Sequence, residues 1–172
     1  MDFFVACWTA IKATMAEDWF KGFMVMTGVI VAITSVVSAR TIARRKQTAD
    51  LMFGTRADEN LNAGYRCLQK MHTGVDVNMR SLASNDKKDS DEANRIRYVL
   101  NHWERVFVGV RQGIYDEKML REANYNTVIR TWAQAKPFVE AVRETEQKLT
   151  YYQCLEDAAK RWKKKPLKQI RK

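Results

Sequence analysis

Residues Gly22 to Ala39 (GFMVMTGVIVAITSVVSA) run for eighteen positions without one charged side chain. A helix rises about 1.5 Å per residue, so this run reaches ~27 Å, close to the hydrocarbon thickness of a thin bilayer. Trp19, Phe20 and Lys21 lead into it, and Arg40, Arg44, Arg45 and Lys46 follow. Aromatic rings suit one headgroup region and a basic cluster suits the other. The pattern predicts a transmembrane helix over residues 19–40. Two rival readings exist. A soluble core helix would usually show a polar face, whereas here only Thr27, Thr34, Ser35 and Ser38 are hydroxylic, and small hydroxyls can bond back to their own helix in lipid. A cleaved signal peptide would end near Val37-Ser38-Ala39, but the preceding segment is long and lacks a positive n-region, and basic residues follow at once. Lys12 and Lys21 precede the run, against four basic residues just after it. That bias predicts a single-pass chain with its N-terminus outside and its C-terminal part cytoplasmic.

Before the span, residues 1–18 place Phe3, Phe4, Cys7, Trp8, Ile11 and Met15 on one helical face. Such a short amphipathic helix suits either the membrane interface or an oligomer contact. Beyond the span, the 172-residue chain keeps about 130 residues, enough for one small domain. Two prolines and seven glycines are too few to interrupt it often, and strand-like alternation is nearly absent. The fold class expected is all-α, a single N-terminal transmembrane helix followed by a small cytoplasmic helical bundle.

Within that bundle, residues 41–72 read as a juxtamembrane helix, with Leu61, Tyr65, Leu68 and Met71 at helical spacing and a possible bend near Gly54. Residues 73–91 contain SLASNDKKDSDE and read as a polar, solvated loop. Residues 92–159 read as the helical domain proper. Ile96, Val99, Leu100, Trp103, Val106, Phe107 and Val110 form a wide apolar stripe, in which Gly109 would admit a neighbouring helix. Gly113 fits a helix C-terminus and Asp116 an N-cap. Pro137 predicts a helix boundary or a fresh first turn, and a last helix is expected from Phe138 through Leu149, Tyr152 and Leu155.

Charge is concentrated at one end. Of a net +10, eight positive charges fall in the last thirteen residues, a basic tail over 160–172 formed by Lys160, Arg161, Lys163, Lys164, Lys165, Lys168, Arg171 and Lys172, with Trp162 among them. Such a tail can be a solvated terminus, can bind anionic lipid headgroups with Trp162 at headgroup level, or can bind nucleic acid, the less favoured polyanion.

The chemistry-bearing residues are sparse. Cys7, Cys67 and Cys154 are odd in number and match no metal or redox spacing. His102 and Glu104 are two apart on a helix, so they point to different faces and do not form an acid/base pair by themselves. No Gly-rich phosphate loop, nucleophile elbow, zinc motif or dinucleotide fingerprint occurs, and no cofactor is implied. The span lacks the buried charge that marks a transport path.

The segments Asn101-His102-Trp103-Glu104 and Val108-Gly109-Val110-Arg111-Gln112-Gly113-Ile114-Tyr115-Asp116-Glu117, followed by Thr131-Trp132 and Lys136-Pro137-Phe138, resemble the domain of unknown function 4760 family. These are small membrane-anchored proteins of bacteria and their phages. The resemblance covers roughly residues 20–162, with its specific part at about 95–140; Tyr115 stands where the family usually has an apolar residue. It implies the same architecture and carries no assigned activity. Together these readings predict a non-enzymatic inner-membrane protein whose helical domain binds a membrane or cytoplasmic protein, or another copy of itself. A phage or prophage setting would suggest superinfection exclusion or host-membrane modulation. The expected surface is Trp103, Phe107, Gly109, Arg111, Gly113 and Asp116. The alternative is a membrane-tethered nucleic-acid-binding or regulatory protein using the tail and Arg95, Arg97, Arg105 and Arg111.

Overall fold

A computed structural model describes residues 2–16, 18–74 and 78–168. Among them every regular element is helical: α1 (Asp2–Ala16), α2 (Asp18–Ala57), α3 (Glu59–Thr73), a 3-10 turn (Met79–Ala83), α4 (Asp91–Arg111), α5 (Glu117–Glu146) and α6 (Gln153–Lys164). The chain divides into two compact units, Met1–Ala43 and Arg44–Lys172.

In the first unit, α1 exposes Phe3, Phe4, Trp8 and Ile11. The first half of α2 carries the uncharged run, and it is long and apolar enough to cross a membrane. The hydroxyls of Thr27 and Thr34 donate to the carbonyls of Phe23 and Ile30, each at 2.9 Å. Both threonine hydroxyls in this stretch are thus satisfied within their own helix.

The second unit is built around α4. Its stripe buries Ile96, Val99, Leu100, Trp103, Val106 and Phe107, against which α3, α5, α6 and the 3-10 turn pack. Helix α2 continues past Gly54 and stops at Asp58, whose carboxylate caps α3 by accepting from the Leu61 amide at 2.9 Å and also accepts from the Tyr98 hydroxyl at 2.9 Å. The segment 41–72 is therefore two helices, broken by a capping residue and not by a glycine. The Leu61 amide, aided by Tyr98, outweighs the effect of burial and holds the Asp58 carboxyl below its ordinary range.

Of the expected loop 73–91, residues 75–77 lie outside the described residues and 85–89 are exposed as expected, but 79–83 depart from a solvated loop. Its 3-10 turn buries Met79, Leu82 and Ala83 and lies against α5. Its abundant polar residues mask three apolar anchors. Helix α5 also runs unbroken through Pro137. The carbonyl that loses its partner belongs to exposed Ala133, on the wet side of the helix, while Ala135, Phe138, Val139 and Val142 are buried and hold the helix together across the proline. The helix expected through Leu149 and Tyr152 instead ends at Glu146. Gln147 and Tyr152 take left-handed conformations, with φ of 52° and 57°, and Leu149 is exposed. Arg143 closes this connection by donating to the Tyr151 carbonyl at 2.6 and 3.0 Å and pairing with Glu156 at 2.8 Å.

Close packing of α3 on α4 rests on Gly64. A Cβ there would lie 2.8 Å from the Arg95 carbonyl oxygen and 2.5 Å from a Val99 methyl. The equivalent position at Gly54 is open. Gly64→Ala is expected to destabilise the purified protein by about 1–3 kcal/mol, because a backbone atom must move. Gly54→Ala should be neutral or stabilising by up to ~1 kcal/mol. Chemical denaturation of both variants checks the contrast.

Candidate functional site

Helix α6 supplies most of the candidate basic surface, yet it is short and has no side-chain cap of its own; the preceding residue, Tyr152, is left-handed. Glu104, from α4, takes the cap's place. Its two carboxylate oxygens accept from the Cys154 amide at 3.1 Å and the Leu155 amide at 2.9 Å. A carboxylate there satisfies orphan amides and meets the positive end of the helix dipole. Glu104 is thus a clamp between α4 and α6. Its neighbour His102 turns the other way: its ring stands edge-on to Trp103 at 5.3 Å, and its Nε2 is buried without a partner. Burial, with help from Arg105, lowers the His102 pKa below its ordinary value.

The far end of α6 is fixed by a second carboxylate. Glu117, in the first turn of α5, accepts from Trp162 Nε1 at 2.9 Å and from the Arg161 guanidinium at 2.7 Å. Trp162 is only 2% exposed and meets the Phe107 ring edge-on at 5.3 Å. It does not sit in a loose tail at headgroup level. Lys160 to Lys164 belong to α6, so the expected tail is helical over its first five residues, and cutting the chain before Lys160 would remove a core aromatic. Lys163, Lys164, Lys165 and Lys168 are exposed; Lys160 pairs with Glu156 at 2.6 Å and Arg161 also with Asp157 at 2.9 Å. Burial opposes ionisation of Glu156, but Lys160 and Arg143 outweigh it and hold that carboxyl below its ordinary range. Arg171 and Lys172 lie outside the described residues.

The expected interaction surface divides. Trp103 (2% exposed) and Phe107 (1%) are in the core, stacked at 5.9 Å, with Trp103 Nε1 donating to the Tyr65 hydroxyl at 2.7 Å. Burial pushes the Tyr65 pKa up to about 12, keeping that hydroxyl neutral. The apolar stripe of α4 is therefore spent on folding. Gly109 is also buried, but what comes nearest to it is the Tyr115 ring, which would lie 2.5 Å from an added Cβ. This places Tyr115, which sequence reasoning treated only as a departure from the family pattern, in a defined seat on α4.

Of the remaining three residues, Arg111 ends α4 and Gly113 and Asp116 lie in the turn to α5. Gly113 has φ of 72° and closes α4: its amide donates to Val110 at 3.0 Å and the Ile114 amide to Gly109 at 2.9 Å. Asp116 caps α5 through the Met119 amide at 3.0 Å. The Asp116 amide in turn donates to the Thr48 hydroxyl at 2.8 Å, and that hydroxyl donates to the Arg44 carbonyl at 2.8 Å. Thr48 is fully buried and ties this turn to the second half of α2. Arg111 is exposed and reaches the Cys154 sulfur at 3.3 Å; Val108 and Ile114 are exposed beside it.

The family model for the domain of unknown function DUF4760 matches residues 22–162. The chain belongs to that family. No curated protein and no solved structure matches it. The matched span begins in the uncharged run of α2 and ends at Trp162, the residue that anchors α6 in the core.

Of the arginines considered for a polyanion, Arg95 pairs with Asp91 at 2.8 Å, Arg97 bonds the Lys88 carbonyl and lies over the Phe138 ring at 5.7 Å, and Arg111 is held at Cys154. Glu104→Ala is expected to cost about 1–2 kcal/mol and to speed hydrogen exchange at the Cys154 and Leu155 amides; unchanged exchange there would refute the clamp. The lowered His102 pKa also has a sign. Well above about pH 6.5 the ring is neutral folded and unfolded, so it adds no pH dependence. As pH falls below that value the unfolded ring protonates first, and stability declines. His102→Asn should flatten the fall in denaturation midpoint between about pH 7 and pH 5.5.

Proposed function

We propose that this chain is a non-enzymatic, single-pass inner-membrane protein, with its N-terminus outside, that presents the helical unit Arg44–Lys172 to the cytoplasm and binds a membrane partner there. The observation that carries the reading is the run Gly22–Ala39, whose side chains are exposed along its whole length. Eighteen consecutive uncharged residues are costly in water and favourable in lipid. The back-bonded threonines and the flanking basic residues support the same reading.

The non-enzymatic reading is supported by how the carboxylates are used. Asp58, Glu104, Asp116 and Glu117 each hold a helix end. We place the partner surface on the turn between α4 and α5, around exposed Val108, Arg111, Gly113 and Ile114, where the recognition residues are not consumed by the core. If the chain comes from a phage or prophage, occluding a host membrane protein at this surface would account for superinfection exclusion.

Cross-linking in intact cells, then purification of the full chain from membranes, tests this. A specific membrane protein should be captured, and Arg111→Glu with Ile114→Asp should lower its yield about tenfold or more without unfolding the protein. Release of the protein by alkaline carbonate, or an unchanged partner yield in the double variant, would contradict the reading. Nucleic acid recovered only when the lysines of 160–168 are intact would favour the tethered nucleic-acid-binding alternative.

A further inference from the structure

A cleft of about 390 Å³ opens where the first turns of α5 meet the last turn of α6. Its lining is strongly basic: Lys118 and Arg121 come from α5, and Arg161, Lys164 and Lys165 from α6 and the residue after it. Trp162 forms part of the wall, and the sole acid in the lining, Glu117, is already bonded to Arg161 and to the Trp162 indole. Lys118, Lys164 and Lys165 make no ion pair among the described residues. Arg121 bonds the Lys165 carbonyl through one nitrogen, while its Nε is shielded from solvent and has no protein acceptor.

The free lysines of this cleft do not serve stability. Lys118 stands in the first turn of α5, where the helix dipole is positive and disfavours cations, and Arg121 follows one turn on. Lys164 and Lys165 suit the end of α6, but they add like charge to the same space. A local conflict of this kind is expected where a site is kept for a ligand. The ligand that resolves it is an anion with several acceptor oxygens, able to take donors from a guanidinium and from ammonium groups at once.

We propose that this cleft binds a phosphate group, as a mono- or diester, on Lys118, Arg121, Lys164 and Lys165, against the wall formed by Trp162. Phosphate can come from a lipid headgroup or from a soluble phosphate ester. The lipid source rests on the membrane reading above; the soluble source does not. The site replaces a diffuse basic tail with a defined pocket, so binding depends on which lysines are removed as well as on how many.

The test compares two triple variants of the full chain. Lys118→Gln/Lys164→Gln/Lys165→Gln empties the cleft of its free lysines. Lys148→Gln/Lys163→Gln/Lys168→Gln removes the same charge from exposed positions outside its lining. Thermal unfolding is followed in phosphatidylcholine nanodiscs with and without phosphatidylglycerol, and separately with glycerol 3-phosphate added in solution. The latter is also run in plain buffer should the protein prove soluble. Wild type and the control triple should gain about 5 °C in Tm at a tenfold excess over the dissociation constant, and the cleft triple should not. A gain with phosphatidylglycerol alone identifies a headgroup, and a gain with glycerol 3-phosphate identifies a soluble ester. No gain from either, or equal gains in both triples, would overturn the site. Should the protein leave the membrane fraction yet respond to glycerol 3-phosphate, the membrane reading fails while the cleft stands.

Discussion

Two carboxylates from other helices, Glu104 and Glu117, hold α6, and the second unit depends on them for its closure. A twelve-residue helix is marginal alone, and α6 begins at a left-handed residue with no capping side chain. Glu104 satisfies its first amides, and Glu117 fixes Trp162 at its other end. With both ends held, Cys154, Leu155, Ala158, Ala159 and Trp162 are driven into the core, and the lysines of the last turn face out in a fixed array. Packing thus converts what would be a mobile polycation into one wall of a cleft.

The same economy runs through the rest of the unit. Asp58 ends α2, starts α3 and engages Tyr98 of α4; Asp116 starts α5 while its amide reaches Thr48 of α2. Each carboxylate or hydroxyl therefore joins a helix end to a second element. Several helix-end amides and buried side-chain donors of the unit find their acceptors this way.

Much of this was legible in the sequence where a pattern is local. The apolar stripe of α4, the Gly113 stop and the Asp116 cap follow from spacing and from single-residue preferences, and the family resemblance lay on the same residues. What was missed depends on contacts distant in sequence. The role of Gly64 is set by the Arg95 carbonyl of another helix, and Trp162 looked like a tail residue because its partners, Phe107 and Glu117, are about fifty residues away. The stripe that holds Trp103 and Phe107 shows in the sequence that a face is apolar without saying what covers it, and the structure covers it with the core. One signal was available: α6 places Leu155, Ala158, Ala159 and Trp162 at three- and four-residue spacing, the mark of a buried face even within a basic segment.

Membership of the DUF4760 family brings no activity with it, so the proposed function rests on placement: an uncharged helix long enough to cross a membrane, carboxylates that hold helix ends, and exposed residues at one turn and one cleft. Placement across a membrane can be measured directly. In spheroplasts, a membrane-impermeant maleimide should label Cys7, which is exposed, from outside. A cysteine introduced by Lys163→Cys should react only after permeabilisation. The reverse pattern, or full reaction at both sites in a soluble fraction, would contradict the account.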